Sequence, residues 1–425
     1  MEKIRCYFVI DMKSFYASVE CAERDLDPMK TKLVVADKTK SQGTICLAVS
    51  PALKCLGVKN RCRLFEIPKD IDFIIAKPRM KRYIDYASEI YGIYLKYMDK
   101  SDIHVYSIDE SFLDVTDYLK LYNKTPLEFA KMLMAEIFEK LRIPSSVGIG
   151  TNLYLAKVAL DITAKNSQDK IGWLCEEKFK KTLWNHTPLS DFWQISTGIS
   201  KRLLKYGITD MEGISKCNPD LLYNEFGINA ELLIDHSNGK ESCLMSDIKE
   251  YKSKSHSISN SQILPCNYNY KDAFIVFQEM INEGVYRLIK EDFVTSLINL
   301  CIGYGDDRTV AKGSIRMNIS TNLFSKIMPY AEKLFKQIVD KERPIRKIMY
   351  SYGFLEPTKC ERYDFFTDYD MVEKEKRLIK SVMEIKKRFG KNSILKGIDF
   401  VENATQRQRN QEIGGHNSDG ENEDE

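Results

Sequence analysis

No stretch of this 425-residue chain approaches the roughly 20 consecutive apolar residues that a membrane helix needs, which excludes a helical channel or transporter. The apolar run ahead of Asp11 is also too short for a secretory h-region, and Glu2, Lys3 and Arg5 precede it. Cysteine is present in an odd number, 11, and no two residues have Cys-x-x-Cys spacing, which fits neither a zinc ribbon nor a disulfide framework. A reducing cytoplasm is the expected home for such thiols. Charge of one sign is lacking too, because the formal net charge is only +3 and by itself favours no class of partner. Its distribution says more: residues 356–425 hold 16 acids against 13 bases, so the preceding residues carry +6, a modest attraction for nucleic acid. What the chain has in quantity is apolar residues, 43% of the total, enough for the cores of two to four domains.

The chemistry-bearing feature is Asp109-Glu110, set in Ser-Ile-Asp-Glu-Ser-Phe-Leu-Asp-Val (107–115). The runs 103–106 and 112–115 alternate like two strands, so the acids fall at a hairpin turn where their side chains can converge. Asp11 closes another short apolar run, Cys6-Tyr7-Phe8-Val9-Ile10, expected to be a buried strand. Three acids on sheet elements repel one another until a cation neutralises them. Two Mg²⁺ ions about 3.5–4 Å apart would suit such a site and an in-line phosphoryl displacement. Taken alone, Asp109-Glu110 fits solvated turn acids equally well.

Periodicity organises the rest. Residues 1–20 and 76–168 mix strand and helix patterns and should form one α/β unit. Between them, residues 21–75 hold a strand at 32–37 and a short helix at 51–56 stopped by Gly57. A helix at 125–141, apolar at Leu127, Ala130, Leu133, Met134 and Ile137, should cover the sheet. Residues 169–240 are helical and turn-rich, and the lysine- and serine-rich end of 241–256 has the composition of a solvated linker. From 257 to 355 the pattern is strand, helix, two strands, helix, strand. That β-α-β-β-α-β order is the split arrangement of ferredoxin-like domains. Apolar and polar residues alternate along its third strand, so Lys312, Ser314 and Arg316 should share an exposed face that can neutralise phosphates, or one that simply meets solvent. Beyond 356 a lysine-rich helix precedes the acidic run Asp419–Glu425, expected to be disordered.

Three blocks stand in order: Asp11-Met12-Lys13-Ser14-Phe15-Tyr16-Ala17-Ser18-Val19-Glu20, then Ser107-Ile108-Asp109-Glu110-Ser111, then Ser146-Val147-Gly148-Ile149-Gly150-Thr151-Asn152-Leu153-Tyr154-Leu155-Ala156-Lys157. Together they resemble the catalytic palm of the Y-family DNA polymerases, translesion enzymes of the DinB/UmuC type. The likeness runs on through Ile413-Gly414-Gly415-His416 and so covers nearly the whole chain. Ser50-Pro51 and Phe192-Trp193 place it nearer the UmuC side.

The resemblance implies an α+β fold, a multi-domain right-hand polymerase. Its palm would span 1–20 and 76–168, fingers 21–75, helical thumb 169–240, linker 241–256, little finger 257–355 and a tail 356–425. It implies nucleotidyl transfer from dNTPs to the 3′ end of primer-template DNA, damaged or not, in DNA repair and the SOS response. Asp11, Asp109, Glu110 and the backbone carbonyl of Met12 would hold two Mg²⁺ ions. Phe15 and Tyr16 would lie at the nucleotide, Tyr16 as a gate against a ribose 2′-hydroxyl, while Lys54 and Lys165 would meet the triphosphate. Ser196 and Gly198 lie in a stretch, Pro188–Ile199, similar to a helix-hairpin-helix, whose backbone N–H groups would hold a DNA phosphate. Arg362, Tyr363, Phe365 and Phe366 stand where relatives carry a peptide for the bacterial sliding clamp. A monomer in the cytoplasm is the implied state.

Several positions depart from the family pattern. Pro51 replaces a phosphate-contacting tyrosine, Lys54 an arginine, Leu153 a lysine, Ser196 a hairpin glycine and Arg362 the leading glutamine of the clamp peptide. Two other readings are a catalytically silent DNA- or clamp-binding relative, which the intact acids argue against, and a palm-like nucleotide cyclase. The cyclase reading leaves the hairpin stretch and the β-α-β-β-α-β domain without a role.

Overall fold

The computed structural model describes residues 5–38, 43–253, 256–365 and 367–418, so the acidic run Asp419–Glu425 and Phe366 lie outside the described residues. The chain divides after Tyr251 into two compact units.

The first unit is built on a five-stranded sheet in the order Ile103–Val105, Glu110–Asp114, Tyr7–Met12, Ser145–Gly150, Ile171–Leu174. Alternation along the central strand sorts its two faces. Phe8 and Ile10 join the core under helices Met80–Tyr94 and Pro126–Leu141, whereas Tyr7 and Val9 pack with Leu153, Ala156 and Leu160. The helix Pro126–Leu141 starts where Thr125 and Glu128 satisfy each other's backbone N–H groups. Its buried stripe centres on Phe129, Leu133 and Ile137, which leaves Leu127 at the margin and 44% exposed instead of in the core as expected. Ile171–Leu174 pairs in parallel with Ser145–Gly150. The sheet therefore continues past 168, and the helical region begins only at Glu176–Leu183, its core shared with Leu155, Val158 and Leu174.

Gly148 and Gly150 explain how a helix comes to lie so close to this sheet. A Cβ on Gly148 would sit 2.0 Å from the Ala156 carbonyl oxygen, and one on Gly150 2.2 Å from the Ala156 nitrogen. Only glycine admits the backbone of Leu153–Val158 at that separation. This helix starts where Asn152 accepts the Leu155 N–H at 2.8 Å, and it passes into a π-helical turn, Ala159–Ala164.

The small insert forms a three-stranded sheet, Ala48–Val49, Leu33–Val35 and Ile74–Ala76. Its helix Pro51–Cys55 is capped by Ser50 and is followed by Gly57 at φ 87°. Within the segment expected to be a linker, Met245–Glu250 is helical. Met245 is buried, and Lys249 Nζ donates to the Ile103 carbonyl at 2.6 Å, so this part docks on the edge of the first sheet.

The second unit, Lys252–Asn417, holds the expected order: Ile258–Tyr268, helix Tyr270–Lys290, Phe293–Tyr304, Val310–Thr321, helix Phe324–Ile338, Ile345–Gly353. The antiparallel sheet has Val310–Thr321 and Ile258–Tyr268 at its edges. What the periodicity did not reveal is the ordering of the region after 356. Helix Tyr369–Phe389 buries Val372 and Ile379 in the same core. Glu279, 2% exposed on Tyr270–Lys290, accepts hydrogen bonds from the backbone N–H groups of Thr405 and Gln406 at 2.9 and 3.1 Å and from the Thr405 hydroxyl at 3.0 Å. The region expected to be a tail thus belongs to the unit as far as Asn417.

Candidate active site

Register brings the three acids together. Asp11 is paired directly with Glu110 across antiparallel strands, and the Met12 N–H donates to the Asp109 carbonyl at 2.9 Å, so all three lie at one end of the sheet. Asp109 is oriented by the Ser107 hydroxyl at 2.6 Å. Burial, then the charges of Asp109 and Glu110, push the Asp11 carboxyl up from 3.8 to about 7. Glu110, 9% exposed, is also raised by burial, against the pull of Lys157.

Lys157 is the residue that sequence reasoning missed. Its ammonium lies 2.7 Å from Glu110 Oε1, 2.9 Å from Oε2 and 3.2 Å from Asp161 one turn on. Burial works against the ammonium, yet Asp161 and Glu110 hold its pKa above the ordinary lysine value. The signal was present: a glycine-bearing strand and an asparagine cap fix the helix that aims this lysine at the acids.

Nucleotide-side residues assemble from the insert and the first helix, Phe15–Ala22. Lys54 Nζ donates to the Ser14 hydroxyl at 2.8 Å; burial lowers its pKa and the charge of Asp11 partly offsets that. The Tyr16 ring stacks on Tyr83 at 4.6 Å, and burial and the charge of Asp109 raise its phenol pKa. Tyr83 in turn donates to Glu20 at 2.8 Å, and Arg79 holds Glu20 at 2.9 and 3.0 Å, so Tyr16 rests on a fixed platform. Phe15 is otherwise placed than expected: its ring is 3% exposed and part of the core, which leaves only its backbone for a ligand. Lys165 is exposed, beyond the π-helical turn, and makes no ion pair with the acids among the described residues.

The donor set at the acids is all oxygen, crowded and short of neutralising charge, which fits a hard divalent cation. As placed, with Glu110 engaged by Lys157, no group of three His, Cys, Asp or Glu side chains among the described residues is gathered tightly enough to hold a metal.

Comparison with known proteins decides the family. The impB/mucB/samB family matches residues 10–161, and its C-terminal domain matches 255–365. UvrX of Bacillus subtilis (strain 168), named for UV-damage repair, is 30% identical, covering 96% of this chain and 97% of its own. DNA polymerase IV 2 of the same strain is also 30% identical, over 98% of this chain and all of its own. The chain belongs to the Y-family DNA polymerases. Among solved structures, a Y-family polymerase chimera of Dbh and Dpo4 is 23% identical, covers 82% of this chain and 99% of its own, and superposes with a TM-score of 0.66. The α+β right-hand fold with a C-terminal little finger follows, and the enzyme is a DNA-directed DNA polymerase.

In this Y-family polymerase the expected DNA-contacting residues occupy separate surfaces. Ser196 caps the helix Thr197–Leu204, accepting the Ile199 N–H at 3.3 Å, and Ser196 and Gly198 are both exposed at its N-terminus. Ser196 has an ordinary extended backbone, φ −75°, so the position does not require glycine. The preceding helix of the expected motif is a single 3₁₀ turn, Leu189–Asp191. Lys312, Ser314 and Arg316 are all exposed on one face of Val310–Thr321, and opposite Ser314 the row continues through Asn299, Ser351 and Ser259. Lys347 adds a further cation on that face.

The expected clamp peptide is only partly free. Arg362 exchanges backbone hydrogen bonds with Ser320 at 2.9 and 3.1 Å and pairs with Glu356. Tyr363 packs against the core of the second unit, beside Tyr369 at 5.9 Å. Among the described residues of the peptide, Phe365 is the aromatic that stands fully exposed. No described helix is long and apolar enough to cross a membrane.

Proposed function

We propose that this polymerase extends primer ends on damaged and undamaged templates by two-metal nucleotidyl transfer. The observation that carries the reading is the Asp11–Glu110 strand pairing, with Asp109 fastened beside it through Met12. Asp11, Asp109 and Glu110, with the Met12 carbonyl, would hold two Mg²⁺ ions, which when bound would acidify the primer hydroxyl and neutralise the triphosphate. The palm would then comprise 1–20 and 76–168 with the added strand Ile171–Leu174, flanked by fingers at 21–75 and a thumb from 176 to 240, with the little finger from 257.

Within that frame each side chain has a task. Asp11 is held as a carboxyl whose charge only a cation makes comfortable. Tyr16, braced by Tyr83, excludes a ribose 2′-hydroxyl by contact. Lys54, a point charge and not a fork, meets the triphosphate from the fingers, and Lys165 reaches it from the palm. The backbone N–H groups at Ser196–Gly198 and the Lys312–Ser314–Arg316 face track phosphates without reading sequence. Solved relatives of this fold include ternary complexes of Dbh, and the UvrX name points to damaged DNA. Phe365, fully exposed, would anchor a sliding clamp.

Primer extension with dNTPs on matched templates, one carrying a bulky lesion, tests the proposal. Mg²⁺-dependent synthesis past the lesion is expected; stalling on the lesion with synthesis on the intact template confines the enzyme to ordinary synthesis. No synthesis on either would favour the catalytically silent relative.

A further inference from the structure

The family's C-terminal domain ends at residue 365, yet the second unit continues for some fifty residues as helix Tyr369–Phe389 and the turns behind it. Between that helix, Tyr270–Lys290 and the start of Phe324–Ile338 lies a cavity of about 250 Å³, walled by Tyr286, Phe324, Leu378, Val382, Lys386 and Lys396. Its apolar wall has room for one large side chain. Its cations are set unusually. Lys386 lies 5.0 Å from the Tyr286 ring centre and Lys396 3.6 Å from that of Phe324. Neither ammonium has a carboxylate within ion-pair distance among the described residues. Burial pushes both below the ordinary lysine value; Glu283 and Asp399 partly offset it at Lys386, as do Asp399 and Glu375 at Lys396.

Asp399 and Glu375 also border the cavity, but each is already engaged. Asp399 accepts the backbone N–H of Lys396 at 2.8 Å, and Glu375 accepts the N–H of Ser325 at 3.1 Å and is bonded by its hydroxyl. In sequence, residues 374–396 carry nine Lys or Arg against Glu375 and Glu384, and of these Lys386 and Lys396 line the cavity. Leu378, which lines the cavity, is 63% exposed, and Phe389 and Phe400 on the same stretch of chain are exposed as well. Duplex or single-stranded DNA would need only the outer cations; it has nothing to place in a concave apolar pocket lined by Leu378 and Val382. The acidic run at 419–425 contains no apolar residue to fill it either.

We propose that this cavity is a docking site for an acidic peptide of a partner protein, one that inserts a single large apolar side chain and sets an adjacent carboxylate between Lys386 and Lys396. The apolar side chain supplies affinity by leaving water, and the carboxylate supplies orientation by restoring hydrogen-bond partners to two ammoniums.

The test measures binding of fluorescein-labelled Asp-Asp-Asp-Phe to the full-length protein by anisotropy. Saturable binding is expected, weakened roughly tenfold in the peptide Asp-Asp-Asp-Ala and roughly tenfold or more in Lys386→Met/Lys396→Met, since each change removes an interaction worth about one decade. Val382→Phe, which fills the cavity and keeps every charge, should block the peptide equally. Thermal unfolding and primer extension of both variants should match the parent and show that they fold. Absence of saturable binding to the parent overturns the proposal, as does binding indifferent to Val382→Phe. Displacement of the peptide by oligo(dT), with DNA affinity falling in parallel in the lysine variant, would make the face a nucleic-acid surface and overturn it too.

Discussion

The floor of acids in the first unit and the sheet face of the second, both proposed to meet phosphates, are built in opposite ways. At Asp11, Asp109 and Glu110 charge is concentrated, half-buried and ion-paired at Glu110 by Lys157, so each group has few substitutes. On Val310–Thr321 the cations Lys312 and Arg316 are spread along an exposed strand among small polar neighbours, where water screens each of them. Both come from strand alternation. Burial decides whether a position acts singly or as one of many.

The sharpest way to break the comparison is at the acids. Asp109→Asn should lower primer extension on the order of a thousandfold, about 4 kcal/mol of transition-state stabilisation, with DNA affinity in gel shift unchanged. Tyr16→Ala should erode discrimination against ribonucleotides by roughly a hundredfold while deoxynucleotide incorporation falls far less, because a clash disappears and its platform on Tyr83 stays. Incorporation assays with single rNTPs and dNTPs read this directly. On the sheet face, Lys312→Ala/Arg316→Ala should weaken DNA by about tenfold at moderate salt and reduce the slope of log affinity against log salt by about 1.8, for two phosphate contacts. A thousandfold loss there, or a graded one at Asp109, would erase the distinction.

A smaller effect concerns stability without metal. The folded-state pKa of Asp11, about 7, lies above its ordinary 3.8, so the folded protein binds the extra proton between those values. Stability is then greatest below that window and falls as pH rises through it, which is the sign for a raised carboxyl. In EDTA, Asp11→Asn should gain a few degrees in Tm over the parent as pH climbs from 4 to 7, roughly 2–4 °C, and Mg²⁺ should close the gap by stabilising only the parent. Smallest of all, Phe365→Ala should leave the Tm unchanged, because the ring packs on nothing, and should show itself only as lost stimulation by a sliding clamp.

The sequence displayed the acids, the β-α-β-β-α-β order and the alternating face because each is a local pattern with a fixed period. It did not display the role of Lys157, because its partner Glu110 lies 47 positions away and the two meet only once the helix Leu153–Val158 packs on the sheet. The placement of the Phe15 ring was hidden too, because which side of the helix Phe15–Ala22 meets the core is settled only by packing on the sheet. Ile171–Leu174 was lost to the helical region because a short strand paired in parallel has no hairpin signal beside it. The helix Tyr369–Phe389 was noticed for its lysines, while its two buried anchors, Val372 and Ile379, are too sparse to announce a core.

Glu279 sets a timetable for the chain. Its partners at Thr405 and Gln406 lie 126 and 127 positions further on, so a growing polypeptide completes this carboxylate site only long after Glu279 itself is made. An interrupted or clipped product lacking those positions would retain every residue of the acid floor and of the phosphate-facing strand, yet would carry an unfinished second unit. Quality control could then remove partial polymerases by the looseness of one helix, before a defective copy ever competed for a primer end.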